Sequence, residues 1–136
     1  MVQYASELEI NHSIKDVYNF LSNISNIGMI MPQHIVNWTV TEDTCNFSIG
    51  FAKIRAYYTE MRFSSQIEDQ VVELESFGKS EIYFNLRFNL SIKDDKTLVL
   101  ITFETQESSF ATESCPSKLF LENVIKSLPE GLVKSL

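Results

Sequence analysis

The sequence predicts an α+β domain: a curved seven-stranded antiparallel sheet around a long C-terminal helix, with two short helices between strands 1 and 2. Three observations carry this expectation. Residues 35–107 alternate with period 2 and are interrupted only by short polar turns, the pattern of a strand meander. Helical periodicity is confined to a segment just after residue 12 and to the C-terminal segment from Pro116. Glycine (4) and proline (3) are scarce while Phe (10), Tyr (5) and Trp (1) are plentiful, as long regular elements around an aromatic core require. The length of 136 residues suits one domain spanning 1–136. A chain of that size buries about two-thirds of its unfolded surface, so it needs neither disulfide nor metal to build a core.

The elements follow in order. Residues 2–11 place Tyr4, Ser6, Leu8 and Ile10 on one face and Gln3, Ala5, Glu7 and Glu9 on the other, a half-buried strand. Ser13 then offers an N-cap, with Asp16 three residues on, and Ile14, Val17, Tyr18 and Leu21 form a helical stripe. Asn23-Ile24-Ser25-Asn26 breaks that helix; a second covers Ile27 to Ile30 and stops before Pro32. Val36, Trp38 and Val40 alternate, Glu42-Asp43-Thr44 turns, and Cys45, Phe47 and Ile49 alternate up to a bend at Gly50. Residues 53–67 make a long strand with Ile54, Ala56 and Tyr58 on one face. Met61 and Phe63 have the opposite parity, which places a bulge near residues 59–60. After Glu68-Asp69-Gln70, Val72, Leu74 and Ser76 face one way, and Gly78-Lys79 turns again. Residues 82–92 alternate most strictly, with Ile82, Phe84, Leu86, Phe88 and Leu90 together. Asp94-Asp95-Lys96 makes a hairpin loop, and Val99, Ile101, Phe103 and Thr105 face in. Ser108–Ser114 reads as loop. From Pro116 a helix carries Leu121, Val124, Ile125, Leu128 and Leu132, with Pro129 expected to kink or split it.

A meander with such short loops is antiparallel, because parallel pairs need long crossovers. Only the C-terminal helix is long enough to cover the apolar face, and a curved sheet cannot lie flat on one helix. The remaining space is a candidate ligand cavity. Its expected lining is Trp38, Phe47, Tyr58, Leu74, Phe84, Leu86, Phe88, Ile101 and Phe103 from the sheet, and Leu121, Ile125 and Leu128 from the helix.

Composition excludes several function classes. Eighteen acidic against eleven basic residues give a net charge of −7, and the Lys and Arg are scattered, so nucleic acid is not an expected partner. No apolar run approaches the roughly 18 residues that span a bilayer, and Met1-Val2-Gln3-Tyr4 lacks the basic and apolar regions of a signal peptide. A cytoplasmic protein without integral membrane association is therefore expected, and its Asn-x-Ser/Thr sequons carry no glycosylation meaning. Cys45 and Cys115 have no CxxC partner and read as free thiols. His12 and His34 lack spaced metal-ligand partners, so neither metal nor cofactor is expected. No G-x-S-x-G elbow and no glycine-rich phosphate cradle is present, and no catalytic residue is assigned. Proton transfer inside a cavity would fall to Tyr58, with Glu60 and Arg62 on the same parity. Trp38 can stack on a ligand or pack in the core; Met29 and Met31 can form an adaptable rim or pack a helix end.

The order of elements resembles the helix-grip fold of the START/Bet v 1-like superfamily (SRPBCC, polyketide cyclase-like). Ile14-Lys15-Asp16-Val17-Tyr18-Asn19-Phe20-Leu21-Ser22-Asn23 is similar to its first-helix pattern. Met31-Pro32, Val36-Asn37-Trp38, Glu42 to Ile49, and Gly78-Lys79-Ser80 before the Phe84 strand look like its small stand-alone bacterial members. The stretch from Gly50 to Gly78 is longer than that pattern, and Ser108–Ser114 lacks its Asn-Pro. The resemblance spans essentially the whole chain. It implies binding or carrying of a small hydrophobic ligand such as a lipid or polyketide; a monomer or weak homodimer is expected. It leaves open a cyclase- or dehydrase-type enzyme and a co-chaperone-like interaction module.

Overall fold

The computed structural model describes residues 2–30, 35–51, 55–81, 83–105 and 116–135, with side chains at 2, 49–51, 55–57, 116–123 and 135 excepted. Strand β1 (Val2–Ile10) leads into helices α1 (Ile14–Leu21) and α2 (Ile24–Ile30). Strands β2 (Ile35–Thr41), β3 (Thr44–Phe51), β4 (Arg55–Ile67), β5 (Val71–Phe77), β6 (Phe84–Lys93) and β7 (Lys96–Thr105) follow, then helix α3 (Pro116–Ser135). The strands form one curved antiparallel sheet in the order β1-β7-β6-β5-β4-β3-β2. Each neighbour in the meander is joined by a short loop; β1 adds itself to the far edge by pairing with β7, from Val2↔Thr105 to Ile10↔Thr97. The predicted α+β architecture, with its early helical pair and C-terminal helix, is the observed one.

Local chemistry sets the helix starts. The Ser13 side chain accepts the Asp16 N–H at 3.2 Å and caps α1. Asn23 does the same for α2, its Oδ1 accepting the Ser25 N–H at 3.0 Å, so α2 begins at Ile24 rather than Ile27. The residues that looked like a break are the cap of the next helix. At the corner between β1 and α1, the buried Thr97 hydroxyl donates to the His12 carbonyl at 2.7 Å.

One sheet face is apolar across its width. Leu8 and Ile10, Val99, Ile101 and Phe103, alternate residues Phe84, Leu86, Phe88 and Leu90, Val72 and Leu74, Met61, and Cys45 and Phe47 all pack into one core. Val17, Phe20 and Leu21 of α1 join it, as do Ile24, Ile27 and Ile30 of α2 and Val124, Leu128 and Leu132 of α3. Helix α3 packs on α2 as well as on β1 and β7. Gly131 makes that crossing close: a Cβ there would stand 3.1 Å from Ile30 Cγ2 and 3.3 Å from Phe20 Cζ. Helix α3 runs through Pro129 instead of splitting there. Burial of Leu128 and Leu132 on either side holds the turn despite the lost backbone bond.

Two register details correct the sequence reading. The bulge in β4 lies between Phe63 and Ser65, not near residues 59–60. A second irregularity separates Val36 from Thr39 in β2, where Asn37 adopts a φ of 59°. Val36 consequently turns outward, while Trp38 keeps the inner face. Ile54, Ile82, Met31, Pro32, His34, Cys115 and the Ser108–Ser114 segment lie outside the described residues.

Candidate functional site

The inner face of the sheet is built by parity. On β6, Phe84, Leu86 and Phe88 are each 4% exposed or less, and they stand opposite Thr105, Phe103 and Ile101 of β7. Leu86 also faces Leu74 of β5. The Phe84 and Phe103 rings stack with centroids 5.4 Å apart at 20°. Further along, Phe63 faces Leu74, and Met61 pairs with Cys45. At the other end, Trp38 stacks on Phe47, again at 5.4 Å and 20°. Helix α2 presses against that pair: a Cβ on Gly28 would lie 2.8 Å from Trp38 Cε2. The described side chains of the inner face are uncharged; Arg55 and Tyr57 hold register positions on the same face of β4, and their side chains lie outside the described residues.

Ten of the expected lining residues stand on this face or against it: Trp38, Phe47, Leu74, Phe84, Leu86, Phe88, Ile101 and Phe103 from the sheet, and Ile125 and Leu128 from α3. Ile125 is only half-buried; the fully buried stripe of α3 is Val124, Leu128 and Leu132. The Leu121 side chain lies outside the described residues.

Tyr58 is a correction. Because the β4 bulge comes after Phe63, the parity of Met61 extends back to Thr59, which is fully buried opposite Phe47. Tyr58 therefore stands on the outer face, opposite Ser48, and its hydroxyl donates to Glu60 Oε1 at 3.2 Å. Partial desolvation and then the Glu60 carboxylate push the Tyr58 hydroxyl pKa up. Glu60 itself tethers the β5–β6 connection, its Oε2 accepting the Lys79 N–H at 2.8 Å beside Gly78, whose φ of 63° suits glycine. Arg62 pairs with Glu75 at 2.9 Å and covers the Phe77 ring at 4.5 Å. Tyr58, Glu60 and Arg62, the polar trio considered for cavity chemistry, thus form an outer-face network that ties strands together.

Sequence reasoning missed Thr59, Met61 and Phe63 as part of the wall. Correct placement of one bulge would have supplied all three. Cys45, also on this face, is a buried thiol whose pKa burial pushes up to about 12, so it stays protonated and unreactive. Among the described residues no three His, Cys, Asp or Glu side chains converge as a metal site, and no helix is long and apolar enough to cross a membrane.

No family model matches the chain, and no curated protein does. Solved structures do match along its whole length. A protein from Thermus thermophilus superposes with a TM-score of 0.75 at 9% identity, covering 98% of this chain and 99% of its own. A conserved protein from Geobacillus kaustophilus gives 0.72 at 17%, covering 98% and 97%. The di-domain ARO/CYC StfQ from the steffimycin biosynthetic pathway gives 0.62 at 11%; 98% of this chain covers 48% of that one. At such identities the likeness is one of fold alone: a helix-grip-like arrangement of a curved antiparallel sheet and a C-terminal helix.

Proposed function

We infer that the chain belongs to the START/Bet v 1-like group and binds a small apolar molecule between the inner sheet face and α3. The observation that supports this best is the wall itself: an aromatic-rich face running from Trp38 to Phe103, its described side chains uncharged, gripped by a helix. Apolar surface leaving water contributes about 25 cal/mol per Å², so burial alone gives useful affinity to a lipid- or polyketide-sized ligand. The likeness to StfQ supports the same choice of ligand class. A cyclase-type reading would need an acid or base facing inward, and Tyr58, Glu60 and Arg62 face the other way.

The test is thermal. A panel of uncharged apolar molecules and an environment-sensitive apolar dye should raise Tm as their concentration rises, because they bind only the folded chain. Leu86, fully buried between Leu74 and Phe103, is the position for a blocking variant. Leu86→Trp should fold, with an overpacking cost of about 1–3 kcal/mol, and lose most of the shift. No shift from any member of the panel would count against a carrier and favour an interaction module with a filled core.

A further inference from the structure

Four polar residues are buried among the described residues: Thr59, Ser80, Thr97 and Thr105. Three have their hydroxyls committed. Ser80 donates to the Phe77 carbonyl at 2.6 Å, Thr97 to His12 at 2.7 Å and Thr105 to Tyr83 at 2.9 Å. Each of these ties a loop or corner to the sheet. Thr59 is the exception. It is 0% exposed, and its Oγ1 has no hydrogen-bond partner. Ser22 and Asp69 also carry a buried oxygen without a partner, but both residues keep part of their surface in solvent, at a helix end and in a turn.

Thr59 sits within the apolar wall, opposite Phe47, which stacks on Trp38, and two residues from the fully buried Met61. An orphaned buried hydroxyl costs stability, and valine would fill the same volume without that cost. The other three buried polar residues of the described fold are satisfied, and the single unsatisfied one lies in the proposed binding face.

We propose that the Thr59 hydroxyl is the polar anchor of the site, and that the ligand is an apolar molecule carrying a carbonyl or hydroxyl group that bonds to Thr59 Oγ1. This rests on the apolar-ligand reading above and adds to it the ligand's functional group and where that group lies. Trp38 and Phe47 would then flank the oxygen-bearing end, and the hydrocarbon would extend towards Leu74, Leu86 and Phe103.

The experiment uses the full chain with two probes, decanol and decane, and compares each variant with wild type for each probe. Thr59→Val should weaken decanol binding about tenfold while leaving decane within about twofold, since only decanol loses a hydrogen bond. Thr59→Ser, which keeps the hydroxyl, should retain decanol affinity within about threefold. Without any probe, Thr59→Val should melt higher than wild type, because it removes an unsatisfied buried group. Equal loss of both probes in Thr59→Val, or loss of neither, would overturn the anchor while leaving the apolar site standing. Binding of neither probe to wild type would overturn the apolar-site reading and the anchor with it.

Discussion

Adding one methyl group to α2, by Gly28→Ala, tests how the helical pair is seated on the sheet. In an isolated helix this change is favourable by about 1 kcal/mol, because glycine loses more backbone freedom than alanine. Here the new Cβ would stand 2.8 Å from Trp38 Cε2 and 2.9 Å from Nε1, closer than carbon atoms approach. The indole cannot retreat freely, since it also stacks on the buried Phe47 ring at 5.4 Å. Overpacking of this kind costs about 1–3 kcal/mol, so the clash should exceed the helix gain and leave a net loss of about 1 kcal/mol. For a domain of this length that is about 4 °C in Tm. Trp38 is the sole tryptophan, so urea unfolding followed by its fluorescence reads both the stability and the displaced ring. In a Trp38→Leu background, where unfolding is followed by circular dichroism because no tryptophan remains, the same change should become stabilising, and a double-mutant cycle read throughout by circular dichroism isolates the contact. If Gly28→Ala raises the urea midpoint of the otherwise wild-type chain with an unchanged emission spectrum, α2 does not rest on Trp38.

Two further outcomes follow from burial. Leu128→Ala removes a fully buried side chain from the centre of the α3 stripe and should cost about 2–5 kcal/mol in a urea melt; a cost under about 1 kcal/mol would mean that α3 is not docked there. Burial raises the Cys45 thiol from its ordinary 9.0 to about 12, so the stability gained by keeping it neutral is intact below about pH 9 and is lost as pH rises towards about 12. Between pH 8 and 10, wild type should therefore lose stability faster than Cys45→Ala; parallel losses would place the thiol in contact with water.

The order of elements, the six-strand meander and the closing helix were legible because period-2 alternation and the polar turns are local signals; the pairing of β1 with β7 was not. The inward parity of β6 and β7 was readable for the same reason: Phe84 to Leu90 and Val99 to Thr105 alternate without interruption. Parity failed where a bulge intervened. In β4 the extra residue falls between Phe63 and Ser65, amid a Phe-Ser-Ser-Gln run whose polarity marks neither face, and this reversed Tyr58 and Thr59. In β2 the turn of chain at Asn37 was concealed by Val36, an apolar residue that ends up outside. Asn23 misled differently, because a capping residue and a helix breaker look alike in sequence. On α3, Ile125 and Val124 both suit a helical stripe, and the choice between them depends on the angle at which Gly131 lets the helix approach α2. That angle is a tertiary property.

The most direct measurement is a methyl-resolved NMR titration of the native chain with decanol. Shifts should concentrate on the inner-face methyls of Leu74, Leu86 and Ile101 and on Leu128 of α3, with intermolecular contacts from the decanol chain to those groups. The exposed methyls of Ile67, Ile92 and Val133 should stay unmoved. Shifts confined to Ile67, Ile92 or Val133, with the inner methyls unchanged at saturating decanol, would contradict binding between the sheet and α3.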